Sequence, residues 1–251
     1  PRMSLLKNKT IIVTGAGGNI GVAYCRGFLE MGANVVAADL PDITAQAATW
    51  NGGNRLLVLR ANVLDQADCD RMAQAAVDRF GRIDGLLNNA GFFKSARFGS
   101  FLDIPAEEWD QCFQVNVRGT WQCIKAVHGH MKAQGGGSIV NISSNTVYKG
   151  IPNFLHYVSS KGAVLGLSRA LAREVGDQGI IVNTLCPDLI PDEEITARQG
   201  TAADERTVAG RCLKRTQLPE DMVGAAAFLF SDLAGFITGQ SILVNGGAHF
   251  N

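Results

Sequence analysis

Tyr157 is followed four residues later by Lys161 and preceded thirteen residues earlier by Ser144, within VNISSNTVYKGIPNFLHYVSSKG. Tyrosine and lysine at i and i+4 share one helix face, which sets an ammonium beneath a phenol. A free tyrosine has a pKa of about 10, too high for a base near neutrality. A neighbouring cation favours the phenolate and lowers that value. A tyrosine tuned in this way removes a proton from an alcohol or returns one to a carbonyl. Taken alone, such a pair is a weak signal, since most are surface contacts on one helix, so its meaning depends on the rest of the chain.

The elements that must position these groups alternate in type. Short apolar runs at 10–15, 33–40, 55–63, 84–91, 137–144, 180–187 and 240–247 read as buried strands. Helical segments fall between them, near 20–31, 43–49, 66–80, 106–134, 156–176 and 219–231. Almost wholly apolar strands alternating with helices predict an α/β fold, a doubly wound (Rossmann) parallel sheet of seven strands with helices on both faces. No repeat or long linker divides the 251 residues, so a single domain is expected over 1–251. The least regular stretch, 187–212, follows the end of a strand, where open parallel sheets bind their ligands. It reads either as a substrate lid over 188–212 or as a solvated connection.

TGAGGNIG (14–21) follows the first strand and opens the first helix. Small residues there let a backbone approach a pyrophosphate at a helix N-terminus. Asp39, 24 residues beyond Gly15, ends the second strand, where a carboxylate accepts from both ribose hydroxyls of an adenosine and repels a 2′-phosphate. Leu40 and Pro41 follow, with no cation for such a phosphate. NAD is therefore favoured over NADP. The same aspartate also suits the cap of a helix over 42–49.

In order along the chain, these residues resemble the short-chain dehydrogenase/reductase family. TGAGGNIG is similar to its cofactor turn, and Asn62-Val63 stands where the family has Asp-Val beside the adenine. Asn88-Asn89-Ala90-Gly91 matches its NNAG, and FITGQSILVNGG its last strand. Asn116, Ser144, Tyr157 and Lys161 match its catalytic tetrad. The resemblance implies that Tyr157 is the acid/base, that Lys161 lowers its pKa and holds the nicotinamide ribose, and that Ser144 steadies the substrate oxygen. It implies that Asn116 supports a water linking Lys161 to solvent. Cofactor contacts are implied at Gly15, Gly18, Asn19, Ile20 and Gly21 of the turn, at Asp39 and Leu40, and at Asn62 and Val63. Further contacts fall on Asn89, Ala90, Gly91, Tyr157, Lys161, Pro187 and Ile190. Substrate contacts are implied at Phe93, Asn145, Thr146, Phe154, Asp188 and Leu189.

Three departures stand out. Asn19 occupies a usual glycine of the turn, giving a TGxxGxxG spacing commoner in the extended, epimerase-like branch. Asp188 replaces the glycine after Pro187, and Asp192 stands where a threonine usually contacts the carboxamide. Each of these carboxylates can face nicotinamide or substrate. Asn245 replaces the usual aspartate before Gly246-Gly247.

Phe92, Phe93 and Phe154 suit an apolar substituent or simple packing, and His156 with the two aspartates adds polar options. The apolar positions of 156–175 exceed one narrow stripe, which points to packing on a second subunit in a homotetramer or to burial in the monomer's own core.

The leading expectation is an NAD-dependent enzyme that interconverts a secondary alcohol and a ketone. Alternatives are an NAD-retaining sugar-nucleotide epimerase-like isomerase and a non-catalytic NAD-binding regulator. Lys+Arg and Asp+Glu both number 23, which gives no drive toward nucleic acid or membrane surfaces. No apolar run approaches the roughly 18 residues of a spanning helix, and the N-terminus has no signal-peptide pattern, so a cytoplasmic setting is expected. The six cysteines show no paired spacing and read as scattered thiols, and no metal site is expected.

Overall fold

Along β1 (Thr10–Thr14), Ile11 and Val13 join one core layer and Ile12 the other, and all three are fully buried. β2 (Asn34–Asp39) repeats the pattern, with Val35 and Ala37 on the first face and Val36 and Ala38 on the second. Side chains alternate across a strand, so strands apolar at every position need cover on both faces. The first layer is closed by Tyr24 and Phe28 of α1 (Asn19–Glu30) and by Phe230 of α9 (Val223–Phe230). The second is closed by Met72 and Ala73 of α3 (Gln66–Phe80), by Ile124 and Val127 of α5 (Thr120–Ala133), and by Ala172 of α7 (Leu155–Val175).

The computed structural model describes residues 4–193, 196–197 and 200–250. Its seven strands include β3 (Leu56–Arg60), β4 (Gly85–Asn88), β5 (Gly137–Ile142), β6 (Ile180–Pro187) and β7 (Ser241–Val244). They form one parallel sheet in the order β3-β2-β1-β4-β5-β6-β7. Strand order reverses between β1 and β4, the switch point at which such sheets open a crevice beyond their C-terminal ends. The remaining helices are α2 (Thr44–Ala47), α4 (Ala106–Phe113), α6 (Thr146–Lys149) and α8 (Thr201–Gly210).

The sheet and its covering helices agree with the sequence reading; three details do not. The strands expected at 84–91 and 137–144 leave the ladder at Asn88 and Ile142, because the residues beyond turn into the crevice. The helix expected over 106–134 is interrupted by a π-helical turn at Gln114–Gly119. There Gly119 packs so close to Val63 that a Cβ would lie 2.8 Å from its Cγ2. The fold also brings Cys69 and Cys123 together, with sulfurs 3.8 Å apart and both thiols free. The lid read over 188–212 contains α8, while residues 194–195 and 198–199 lie outside the described residues. Among the described residues, no helix is long and apolar enough to cross a membrane.

Helix α1 docks directly on the turn that precedes it. Gly15 has φ +64°, in the left-handed region open to glycine, and a Cβ at Gly21 would overlap the Gly15 carbonyl oxygen. Backbone cannot yield as a side-chain tip does. Gly21→Ala should therefore cost about 1–3 kcal/mol, lowering Tm by roughly 2–10 °C for a chain of this size; a calorimetric scan checks this without any ligand.

Candidate functional site

At the switch point the ends of β1 and β4 are stitched together. The backbone N–H groups of Asn89 and Ala90 donate to Thr14 Oγ1 at 3.2 and 3.1 Å. Asn89 Nδ2 donates to the carbonyls of Thr14 and Gly15 at 3.1 and 3.0 Å. A Cβ on Gly15 would lie 2.8 Å from Ala90 Cα, so the two chains meet as closely as backbone allows. Beyond this seam opens a cleft of about 1220 Å³.

One end of the cleft carries Gly15, Gly18, Asn19, Ile20 and Gly21, with Asp39, Leu40, Asn62 and Val63 beside them. Asp39 does not cap a helix. Its Oδ2 accepts from Gly17 N–H at 2.7 Å and its Oδ1 from Leu40 N–H at 2.7 Å, while Asp42 takes the N–H and hydroxyl of Thr44. Asp39 is thus fixed against the glycine turn. The nearest cation in the sheet, Arg60, pairs in register with Asp39, donates from Nε to the Leu40 carbonyl, and stands outside the cleft wall.

Asn89, Ala90 and Gly91 line the middle of the cleft, opposite Pro187, Asp188, Leu189 and Ile190. Ser144, Tyr157 and Lys161 form the inner wall. Polar bonds beneath α7 set its register: Ser143 Oγ donates to the Lys161 carbonyl at 2.8 Å, and Asn141 Nδ2 to Ser168 Oγ at 2.9 Å. Asn141 is in turn held by Asn88 Nδ2 at 2.8 Å. Lys161 Nζ donates to the Ile142 carbonyl at 2.9 Å and lies 5.7 Å from the centroid of the Tyr157 ring. Burial pushes the Tyr157 phenol up, and hydrogen bonding with Ser144 pulls the other way. Burial also pushes the Lys161 ammonium down, to about 8. Each group alone resists its charged form; together, phenolate and ammonium offset one another's desolvation.

Two residues expected to act at the site stand behind it. Asn116, on the π-helical turn, is buried outside the cleft wall. Its Oδ1 accepts from Phe92 N–H at 2.6 Å, its Nδ2 donates to Ser160 Oγ at 2.9 Å, and its carbonyl accepts from the Thr120 hydroxyl at 2.9 Å. Asn145, expected to touch substrate, is fully buried and absent from the cleft wall. Its amide is consumed by neighbours: Nδ2 donates to Asp188 and Oδ1 accepts from Asn245.

The remaining substrate candidates divide by exposure. Phe93 and Thr146 line the cleft, and the Thr146 hydroxyl oxygen, itself buried, has no partner among the described residues. Phe154 touches the cleft but is 1% exposed, stacked between Phe98 at 4.0 Å and Tyr157 at 4.6 Å. It braces the Tyr157 ring more than it meets the cleft. Phe98, Val115, Ile151 and Lys149 were not legible as pocket residues, yet all line the cleft. His156 lies wholly buried on Glu108, 3.1 Å away, so it offers the cleft no polar group. Asp192 faces Lys94 at 2.9 Å, and Asp188 is enclosed by Lys149 and Arg211.

A nicotinamide dinucleotide fits this arrangement. The glycine cradle is walled by backbone that a Cβ would strike at Gly15 and Gly21, whereas a Cβ at Gly18 would meet only the Gly15 carbonyl at 3.5 Å. Space is thus left on the open side of the turn, next to the N-terminus of α1, for a pyrophosphate.

Comparison with known proteins agrees with this geometry. A family model described as enoyl-(acyl carrier protein) reductase matches residues 15–249. The chain is similar to the (2S)-[(R)-hydroxy(phenyl)methyl]succinyl-CoA dehydrogenase subunit of Thauera aromatica, at 35% identity over 96% of this chain and 97% of that one. It is 34% identical to 2-(S)-hydroxypropyl-CoM dehydrogenase 3 of Xanthobacter autotrophicus, over 96% and 97% of the two chains. A crystal structure of a short-chain dehydrogenase/reductase, glucose/ribitol dehydrogenase, from Brucella melitensis superposes with a TM-score of 0.90 at 30% identity, covering 98% of this chain and 99% of that one. Full-length likeness in sequence and in fold leads to one conclusion: the chain belongs to the short-chain dehydrogenase/reductase family, as a nicotinamide-binding oxidoreductase that acts on CH–OH groups.

Proposed function

We propose that the chain works as one catalytic domain that interconverts a secondary alcohol and a ketone with NAD(H). The observation that carries this reading is the convergence of Ser144, Tyr157 and Lys161 on the wall of a cleft whose far end holds Asp39 against the glycine turn. A bound nicotinamide supplies a hydride acceptor or donor at its C4. Tyr157 takes the hydroxyl proton from the alcohol, or returns it to the ketone oxygen. Ser144 donates to that oxygen as charge develops on it. Lys161 stabilises the phenolate with its ammonium, anchored by the Ile142 carbonyl. Asn116 holds the Phe92 backbone and so positions the chain that follows Gly91. Phe93, Phe98, Val115 and Ile151 offer the exposed wall beside Tyr157 and favour an apolar or aromatic substituent on the substrate.

Helix α7 turns Gly166 and Ala170 to solvent, with Leu155 half exposed at its start. Trp121 on α5 is 49% exposed. We propose that these faces pair between subunits of a homotetramer, in a cytoplasmic setting. Sedimentation equilibrium should return four chain masses; a monomer mass sinks this assignment.

Tyr157→Phe should reduce ketone turnover at least about 100-fold, the scale of a lost general acid, while NADH titration stays near wild type. A panel of aryl-alkyl ketones read by loss of NADH absorbance tests it, and retained turnover would reject Tyr157 as the base. The sign of the Lys161 effect follows from burial. Desolvation raises the phenol, and the ammonium lowers it again, so Lys161→Met should move the alkaline rise of kcat/KM for alcohol oxidation upward by about one pH unit or more.

Asp39→Ala removes the carboxylate that repels a 2′-phosphate. NADPH affinity should rise relative to NADH by about tenfold. Paired fluorescence titrations measure this, and an unchanged ratio would place selection elsewhere.

A further inference from the structure

Asp188 occupies the first position after Pro187, at the end of β6 and at the root of the segment leading to α8. Its side chain is 4% exposed and sits between two cations from different parts of the fold. Lys149 Nζ of α6 donates to Oδ1 at 2.6 Å, and Arg211 Nε, just past α8, donates to Oδ2 at 3.1 Å. Asn145 Nδ2 donates to Oδ1 at 3.2 Å, so both oxygens are engaged. Burial pushes this carboxyl up, yet Lys149, Asn145 and Arg211 together hold it below the usual carboxylate range.

The same groups hold the backbone around them. Arg211, itself 1% exposed, donates from Nη2 to the Leu189 carbonyl at 2.8 Å and from Nη1 to the Arg215 carbonyl at 3.0 Å. Gln217 Oε1 accepts from Asp188 N–H at 3.2 Å, and Asn145 N–H donates to the Pro187 carbonyl at 2.8 Å. Asn245 Nδ2 joins from the turn after β7 through Asn145 Oδ1 at 3.1 Å. The cluster therefore ties together four pieces: the segment after β5 that carries Ser144, the cofactor-side loop Pro187–Ile190, the exit from α8, and the turn after β7. Two of the departures from the family pattern, Asp188 and Asn245, lie at opposite ends of one hydrogen-bond chain through Asn145.

We propose that Asp188 is a positioning residue, an anionic staple that fixes the cleft-lining loop Pro187–Ile190 and both roots of the α8 segment relative to the Ser144 wall. The inference rests on the dehydrogenase reading of the cleft. Without the carboxylate, buried Arg211 and partly buried Lys149 face one another with no counter-charge and repel. Arg211 then no longer holds the Leu189 carbonyl, and the loop leaves its place against the cleft.

Asp188→Asn keeps the size of the side chain and removes its charge. It should weaken NADH binding about tenfold, the scale of one lost hydrogen bond to a buried charge, in protein whose circular dichroism and melting curve show it folded at the assay temperature. Lys149→Met should weaken it in the same direction and add little on the Asp188→Asn background, because both variants break one interaction. A purely structural role lowers Tm and leaves the affinity of the folded protein alone. NADH affinity of folded Asp188→Asn within twofold of wild type therefore overturns the proposal. Should Asp188→Asn not fold, Lys149→Met decides by the same criterion. Should the wild-type protein bind no NADH, the dehydrogenase reading falls by itself. Hydrogen exchange in α8 of the cofactor-free protein then decides: faster exchange in the variant supports the staple, and wild-type exchange overturns it.

Discussion

A lysine ammonium shut away from water is the constraint on which the rest of this structure depends. Lys161 is buried, and burial alone drives it toward neutrality. Two groups stand against the ammonium: the Ile142 carbonyl, which accepts from Nζ at 2.9 Å, and the Tyr157 ring, whose centroid is 5.7 Å away. The second lies within α7 itself, but the first requires α7 to sit on β5 in one register. That register is set by buried polar bonds rather than by apolar packing, since Ser143 bonds the carbonyl of Lys161 itself and Asn141 reaches Ser168. A slip of α7 by one position would leave those buried groups unpaired, which costs far more than a shifted aliphatic contact.

The cofactor end of the cleft obeys a different constraint, close approach. Thr14 and Asn89 draw β1 and β4 together until only glycine fits at position 15, and Gly21 lets α1 start against the same carbonyl. The two ends are joined through the segment after Gly91. Asn116 holds Phe92 there, and Phe93 packs on Tyr157 at 5.2 Å. The Tyr157 ring is thus braced by a segment that also lines the cleft.

These two constraints differ in how well a sequence carries them. The sheet is legible because its central strands are buried on both faces and so almost wholly apolar, and the glycine turn because its position after β1 is fixed by the fold. Tyr157 and Lys161 follow from the period of one helix. The π-helical turn at Asn116 is not legible: apolar positions continue through 106–134, and the close approach of Gly119 to Val63, 56 positions away along the chain, leaves no local pattern. Asn145 lies next to Ser144, so it reads as a pocket residue, but its backbone N–H pairs with Pro187 and its side chain turns inward. Phe98 carries no signal of its own. Only the stacked series Phe98, Phe154, Tyr157 gives it a place.

Asp39 and Asp188 make the same point about function. Both are aspartates at the C-terminal end of a parallel strand, on the rim where ligands bind. Asp39 accepts one backbone N–H on each oxygen and forms no ion pair among the described residues, so lone pairs remain for hydroxyl donors in the cleft. Asp188 meets Lys149, Arg211 and Asn145, which occupy both of its oxygens. Residue type and topological position are equal in the two cases. What separates the recognition proposed for Asp39 from the staple proposed for Asp188 is how far the protein itself has already satisfied the carboxylate, and that depends on Arg211 arriving from 23 residues away.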